Sequence, residues 1–288
     1  DLIIANDPDA DRLGVMVRDE EHSWQRLDGN QIGVLLLDYV LSQMQENGNL
    51  PRKALVIVTA VSSRLPVMIA LSYGLEVVET LTGFKWIRDA AVRYEIMGQG
   101  SFLFGMEESH GYLCGTYTGD KDGVWAALAF AEMGASLKSK GKNVLQQLQI
   151  LYGKHGAHLD ALETLTLKGV EGTLRIDGIM EGLRQTPPRS LGGRCVLRRT
   201  DLLLDEQIEC GTGKVSKGPG LPASNVILLE LEGGSRVIAR PSGTEPKIKF
   251  YFNLFGHEMK ELESGLLDLK EDFKMYRDRL QDGSAASC

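Results

Sequence analysis

Three short segments concentrate the side chains able to do chemistry. In the first, carboxylates alternate along Asp7-Pro8-Asp9-Ala10-Asp11-Arg12. Asp7, Asp9 and Asp11, on a loop stiffened by Pro8, can converge on one hard cation such as Mg²⁺. Without a cation, carboxylates held close would repel one another by roughly 4 kcal/mol per pair at intermediate dielectric. A calcium EF-hand does not fit, because Arg12 stands where the sixth-position glycine belongs and Arg18 where the bidentate glutamate belongs. A solvated acidic turn is the competing reading. Arg12, next to the carboxylates, is placed to hold a phosphoryl oxygen.

The second segment is Gly105-Met106-Glu107-Glu108-Ser109-His110-Gly111. Paired glutamates, a serine and a histidine supply the acceptors and donors that sugar hydroxyls require, although a surface loop could carry the same residues. His110 by itself is more often a structural hydrogen-bonding residue than a catalyst. The third is Arg240-Pro241-Ser242-Gly243-Thr244-Glu245-Pro246, followed by Lys247 and Lys249. An arginine, two hydroxyls and the N–H groups around Gly243 make a compact phosphate cradle, and an ordinary hairpin turn is the alternative. Lys85 follows Gly83 in Leu81-Thr82-Gly83-Phe84-Lys85-Trp86-Ile87. At the start of a helix it is either a phosphate contact, a proton-transfer group or a solvated lysine.

The elements that position these residues follow from periodicity. Residues 2–5 and 13–17 read as strands flanking the acidic loop. Apolar positions at helical spacing place a helix over 30–46. The β-branched run 54–59 fits a strand buried on both faces. A helix over 63–73, a strand at 75–79, a helix over 84–97 and a strand at 102–106 follow. Then come a long polar loop over 107–122 and a helix from about Gly123. This alternation predicts a parallel, doubly wound α/β layer, with the glutamate loop at a strand's carboxyl end, where ligands gather. After about residue 155 strands follow one another near 161–168, 194–200, 225–232, 235–240 and 247–254. Helices are expected over 171–185 and 257–280, and the final GSAASC is expected to be disordered. The fold class is therefore α/β: a parallel αβα sandwich domain followed by a smaller α+β domain with a mostly antiparallel sheet.

Bulk properties narrow the function. The 288 residues are 43% apolar, with 39 acidic against 32 basic residues and a formal charge of −7. That length and core suggest two domains. The net charge argues against nucleic acid or an anionic membrane as partner, while a local cluster of donors can still take an anionic substrate. Cys114, Cys195, Cys210 and Cys288 are scattered, as in a cytosolic protein with reduced thiols. No apolar run reaches the ~18–20 residues that span a bilayer. The N-terminus has no basic region and reads as a strand in progress, so the chain is expected to begin inside a domain.

In combination, order and spacing, these segments closely resemble the α-D-phosphohexomutase superfamily, the phosphoglucomutases and phosphomannomutases. DPDADR resembles the family's metal loop, TLTGFKWI its hinge-side segment, GMEESHGY its sugar-recognition loop and RPSGTEP its phosphate-binding loop. GDKDGVWAALAFAEM, which includes Lys121, resembles the helix after the sugar loop. GTGKVSKGPGLPASNV before RPSGTEP is most similar to the phosphoglucomutase/phosphopentomutase branch. The resemblance implies that residues 1–23 are the end of a metal-loop domain, 24–155 a sugar-recognition domain, 156–260 a phosphate-binding domain and 261–288 a terminal helix and tail. It also implies that a first domain, bearing a serine loop of the T-A-S-H-N-P kind, is missing here.

The activity implied is magnesium-dependent phosphoryl transfer within a sugar. A phosphoserine gives its phosphoryl group to a sugar 1-phosphate, and a 1,6-bisphosphate intermediate then yields the 6-phosphate. The resemblance assigns Asp7, Asp9 and Asp11 to Mg²⁺, Arg12 and Lys85 to catalysis, and Glu107, Ser109, His110, Lys121, Arg240, Ser242, Gly243 and Thr244 to substrate. Without the serine domain the chain alone is expected to be inactive. Its loop leans towards glucose, with pentose or mannose phosphates as alternatives. A non-catalytic sugar-phosphate-binding module and an aspartyl-phosphate phosphatase are the readings from other classes.

Overall fold

The structure is a computed structural model that describes residues 1–243 and 245–281. The expectations for Thr244, Cys288 and the terminal GSAASC lie outside the described residues. The chain divides into two compact units, Asp1–His155 and Gly156 onward.

The first unit opens with an antiparallel sheet of β1 (Leu2–Asn6), β2 (Leu13–Arg18) and β3 (Trp24–Arg26). The DPDADR loop is the β1–β2 connection. Then follow α1 (Gly29–Glu46), β4 (Ala54–Thr59), α2 (Leu65–Ser72), β5 (Glu76–Thr80), α3 (Phe84–Ile96), β6 (Ser101–Glu107), β7 (Gly111–Cys114), α4 (Gly123–Ser139) and α5 (Val144–His155). The second sheet has the order β5-β4-β6-β7. Its first three strands are parallel, and β4 is buried along its whole length, as its β-branched sequence requires.

α3 packs Phe84, Ile87, Ala91 and Tyr94 against Leu55, Ile57, Phe102 and Leu113. α1 is fixed at its start by a capping box. The Asp28 carboxylate accepts from the Gln31 N–H at 2.8 Å, and the Gln31 side chain accepts from the Asp28 N–H at 3.1 Å. Where α1 crosses the sheet, a Cβ on Gly33 would lie 2.5 Å from the methyl of buried Met106, so any larger residue there would have to displace that side chain.

The sheet departs from the expected all-parallel layer at one edge. β7 runs antiparallel to β6, so the stretch read as one polar loop, 107–122, contains a hairpin turning at residues 108–110. Four residues are too few to show a period, which is why the strand escaped the sequence reading. Exposed β3 escaped for the same reason. The helix expected from about Gly123 is α4, and a second helix not anticipated, α5, follows it after Gly141, which adopts φ +70°.

The second unit comprises β8 (Ala157–Thr166), α6 (Gly169–Gln185), β9 (Ser190–Leu191), β10 (Arg194–Asp201), β11 (Glu206–Glu209), β12 (Val215–Lys217), β13 (Ile227–Leu231), β14 (Arg236–Pro241), β15 (Lys247–Gly256) and α7 (Met259–Gln281). The sheet order is β12-β11-β10-β13-β14-β15-β8, with β9 beside β10, and every pairing is antiparallel. β11 and β12 were not anticipated, being short and polar. Both helices cover one face. Ile179, Met180 and Leu183 of α6, with Leu269 and Phe273 of α7, bury Val237, Ala239, Ile248, Phe250 and Phe252. Phe273 meets Phe250 and Phe252 edge-on. Alternation along β14 and β15 therefore sends Arg240, Lys247 and Lys249 to the other face. Among the described residues no helix is long and apolar enough to cross a membrane, and Cys114, Cys195 and Cys210 are free thiols.

Candidate functional site

The acidic loop is organised around Asp7. Its carboxylate Oδ1 accepts from the N–H groups of Asp11 and Arg12, both at 3.2 Å, and its carbonyl accepts from the Ala10 N–H at 2.9 Å. Ala10 sits in the left-handed region at φ 55°, a conformation that costs a non-glycine residue roughly 1–3 kcal/mol and clusters at working sites. Burial pushes the Asp7 carboxyl up, but the Arg12 and Asp11 N–H bonds and the Arg12 charge outweigh it and hold the group below its ordinary value.

The side chains of the three aspartates are not gathered round one point in this structure. Among the described residues no three Asp, Glu, His or Cys side chains form a group able to hold a metal ion. The physical reason is local neutralisation. Asp7 is taken by backbone donors and Asp11 Oδ2 by the ammonium of Lys121 at 3.2 Å, while Arg12 Nε lies 3.7 Å from Asp11 Oδ1. Asp9 is exposed. Asp11 Oδ1 is nonetheless buried without a hydrogen-bond donor. A buried carboxylate oxygen lacking a donor, among three carboxylates in five residues, is donor chemistry that suits a hard cation.

The glutamate loop closes the same site. The Leu13 N–H donates to the His110 carbonyl at 3.1 Å, and Arg12 forms a β-bridge with Gly111. Lys121 folds across Gly111, where a Cβ would lie 2.6 Å from its Cδ. The first turn of α4 abuts the acidic loop, with the Gly123 N–H donating to the Ala10 carbonyl at 3.1 Å. Tertiary structure thus brings together Asp7, Asp11, Arg12, His110 and Lys121, which are far apart in sequence. His110 is itself left-handed at φ 71°. Burial, with the nearby charges of Arg26 and Arg12, holds its imidazole below the ordinary histidine value.

The paired glutamates have separate tasks. Glu107 is buried, and its Oε1 accepts from the Gly83 N–H at 2.6 Å. Glu108 Oε2 accepts from the Thr59 hydroxyl at 3.1 Å, which in turn is 2.8 Å from the Ser62 hydroxyl. The loop lies directly on α1: a Cβ on Gly29 would sit 2.0 Å from the Glu108 carbonyl oxygen, and the Tyr112 hydroxyl donates to the Gly29 carbonyl at 2.7 Å. Ser109 is half-buried in the turn. Lys85 is exposed, with its ammonium 5.0 Å from the Trp86 ring centre, and among the described residues no hydrogen bond or ion pair joins it to the acidic loop.

In the second unit, Arg240 on β14 is directly opposite Lys249 on β15. Like charges opposed across a ladder destabilise it unless an anion neutralises them. The connection is closed by the Ser242 N–H donating to the Lys247 carbonyl at 2.8 Å, and Lys247 pairs with Glu245 at 2.9 Å. Gly243 is exposed at the tip.

The sequence reading missed several supports of the first unit's site. They are Asn6, whose amide donates to the Arg12 carbonyl at 2.7 Å, Arg26 near His110, and the buried Thr59 and Ser62. A signal for the last two existed: Thr59 ends a fully buried strand and Ser62 lies just beyond its carboxyl end, where polar side chains are expected to serve a site.

The chain is similar to known proteins in sequence and in fold. Residues 28–152 match the family described as phosphoglucomutase/phosphomannomutase, alpha/beta/alpha domain III. The phosphoglucomutase of Staphylococcus aureus strain MRSA252 is 38% identical over 254 residues, covering 88% of this chain and 45% of that protein. The chain thus spans about half the length of the curated relatives it matches. In fold, it is similar to pp63/parafusin, a phosphoglucomutase from Paramecium, with a TM-score of 0.65 and 21% identity, covering 97% of this chain and 44% of the other. A phosphoglucomutase/phosphomannomutase family protein from Burkholderia thailandensis gives a TM-score of 0.60 at 15% identity, covering 98% and 47%. The resemblance to the α-D-phosphohexomutase superfamily, read from a handful of loops, is therefore shown in sequence and in fold across nearly the whole chain, with residues 28–152 matching its domain III.

Proposed function

We propose that the chain is the metal-, sugar- and phosphate-binding part of a phosphosugar mutase of the phosphoglucomutase kind, interconverting sugar 1- and 6-phosphates. The observation that carries this reading is the junction in which Arg12, Asp11, Lys121 and the Glu107–Gly111 turn meet. Asp7, Asp9 and Asp11 are the residues that would hold Mg²⁺, with the donor-less Asp11 Oδ1 as the best-fitting oxygen. The ion's chemistry there is neutralisation of charge on a transferring phosphoryl group.

Arg12 and Lys121 add fixed positive charge for phosphoryl oxygens, and the neutral His110 imidazole and Ser109 hydroxyl orient sugar hydroxyls. Glu107 is tied to the Gly83 N–H through Oε1, which leaves Oε2 to accept from a hydroxyl. Arg240, Ser242, Gly243 and Thr244 hold the phosphate that is not transferred, and Lys85 serves proton transfer. This chemistry depends on positioning and charge neutralisation more than on covalent assistance from these residues. The phosphoryl donor is a phosphoserine on a domain outside this chain, so the chain alone is inactive. Glucose phosphates are the substrates favoured, given the relatives' names. Unpaired thiols fit work in the cytosol.

A complementation assay tests the proposal. The serine-bearing N-terminal portion of a related phosphoglucomutase, pre-phosphorylated, is added in trans and glucose 1-phosphate conversion is followed with and without Mg²⁺. Magnesium-dependent conversion that disappears in Asp9→Ala and Arg240→Ala supports it. A folded chain that binds glucose 1-phosphate but never completes the reaction favours a sugar-phosphate-binding module.

A further inference from the structure

The first unit holds a cavity that the proposed mutase chemistry does not use. It measures about 390 Å³ and lies between α3 and the segment that follows β7. Its floor is apolar and buried, formed by Ile87, Ala91, Phe102 and Leu113. The outer wall is the Gly115-Thr116-Tyr117-Thr118-Gly119 segment, and it is held in place at two points. The Gly115 N–H donates to the Leu103 carbonyl at 3.0 Å, and the Tyr117 hydroxyl donates to the Asp122 carboxylate at 2.7 Å. A pocket with a fixed wall loses little entropy on binding.

Charge is distributed unevenly along it. Arg88 stands at one end, packed so closely on Gly119 that a Cβ there would lie 2.7 Å from the guanidinium carbon. Among the described residues the Arg88 side chain forms no hydrogen bond or ion pair. Neighbouring Asp89 is engaged by Arg93. Glu95 stands at the other end, seven residues or roughly 10 Å along the helix, with Oε1 accepting from the Phe102 N–H at 3.0 Å. A guanidinium without a counter-ion at the mouth of an apolar cavity is complementary to an anionic head on a flat apolar body. The carboxylate at the far end sets the direction, because a head group placed there would meet like charge.

We propose that this cavity is a binding site for a small amphipathic anion, a phosphate or carboxylate carried on an aryl or similar apolar body. The head group sits on Arg88 and the body lies on Phe102 and Leu113, beside the Tyr117 ring. The site shares no residue with the acidic, glutamate or RPSGTEP loops, so it stands independently of the mutase reading.

Amide chemical shifts of the isotope-labelled chain, titrated with phenyl phosphate, benzoate and inorganic phosphate, test it. Phenyl phosphate should shift the amides of Arg88, Tyr117 and Gly119 saturably, with a dissociation constant on the order of 1 mM. Inorganic phosphate, lacking the apolar body, should bind about tenfold more weakly or worse. Benzoate binding like phenyl phosphate identifies the head as any anion, and benzoate failing identifies it as phosphate; both support the site. Arg88→Ala should weaken phenyl phosphate at least ~10-fold, and Val92→Trp, filling the mouth from an exposed position, should abolish binding, each with an unchanged unfolding midpoint. Absence of saturable shifts, shifts centred on Asp11, Arg12 and Lys121, or undiminished affinity in Arg88→Ala would overturn the proposal.

Discussion

Glu107 Oε1 accepts a hydrogen bond from the Gly83 N–H at 2.6 Å, joining the carboxyl end of β6 to the turn that starts α3. The carboxylate is buried, and Gly83 holds φ +110°, so neither partner has a ready substitute. Charge-assisted bonds of this kind contribute about 1.5–3 kcal/mol, and leaving the N–H unpaired adds its desolvation cost. Glu107→Ala should therefore lower stability by about 3 kcal/mol in urea unfolding, and Glu107→Gln, which keeps an acceptor, by about 1 kcal/mol. Equal losses in the two variants would show that the bond is not the stabilising element.

Gly29 should be intolerant of any side chain. An added Cβ meets the Glu108 carbonyl oxygen at 2.0 Å and the His110 nitrogen at 2.9 Å, both backbone atoms that cannot rotate away. Gly29→Ala is expected to cost about 2 kcal/mol or more and to displace the Glu107–Gly111 turn. Amide exchange checks this: protection at Leu13, whose N–H donates to His110, should fall by more than protection in β4.

Asp38 gives the first unit a dependence on acidity. Burial raises its carboxyl above the ordinary value, opposed by the Gln147 amide, the charges of Lys154 and His155, and the Tyr73 hydroxyl. A carboxyl raised in the folded state binds its proton more tightly there than in the unfolded chain. Its contribution is fully present below the unfolded value of 3.8 and is lost as pH rises through the raised folded value. Asp38→Asn should remove that slope and leave the protein more stable than the parent at neutral pH. Urea midpoints at acid and neutral pH decide it, and a variant weaker by the same margin throughout would mean that the lost hydrogen bonds dominate.

His110 titrates below the ordinary histidine range because of burial first and the Arg26 and Arg12 charges second. Arg26→Gln should move its imidazole titration, followed by NMR, up towards 6.5. The unfolding midpoint should change little, since Arg26 is exposed. No movement would assign the shift to burial alone.

Lys121 and a divalent cation compete for Asp11. Removing the ammonium 3.2 Å from Asp11 Oδ2 should tighten Mn²⁺ binding in Lys121→Met by roughly fivefold, about 1 kcal/mol. Asp11→Asn should abolish it, read from paramagnetic broadening at residues 7–12. In the complementation assay Lys121→Met should nevertheless lose turnover, because the same ammonium is proposed to meet phosphoryl oxygens. Unchanged Mn²⁺ affinity would separate Lys121 from the cation site.

Much of this protein was fixed by local sequence. The capped, amphipathic α1, the doubly buried β4 and the long strands β14 and β15 follow from residue type and period, which act over a few residues. The chemical content of the loops was equally legible, because three carboxylates in five residues or an arginine beside hydroxyls keep their chemistry in any fold. Short β7 was not legible, since its pairing with β6 lies outside its own four residues. Nor was the assembly of the site. That Asp11 is paired with Lys121, 110 positions away, that Glu107 braces Gly83 while Glu108 reaches Thr59, and that Lys85 lies over Trp86, depends on which chain segments the core brings side by side. Ala10 and His110 carry no mark of their left-handed backbone either, because such strain persists only where the surrounding packing imposes it. The sequence specified which groups are available, and the tertiary structure decided which of them neutralise one another and which are left to meet a ligand.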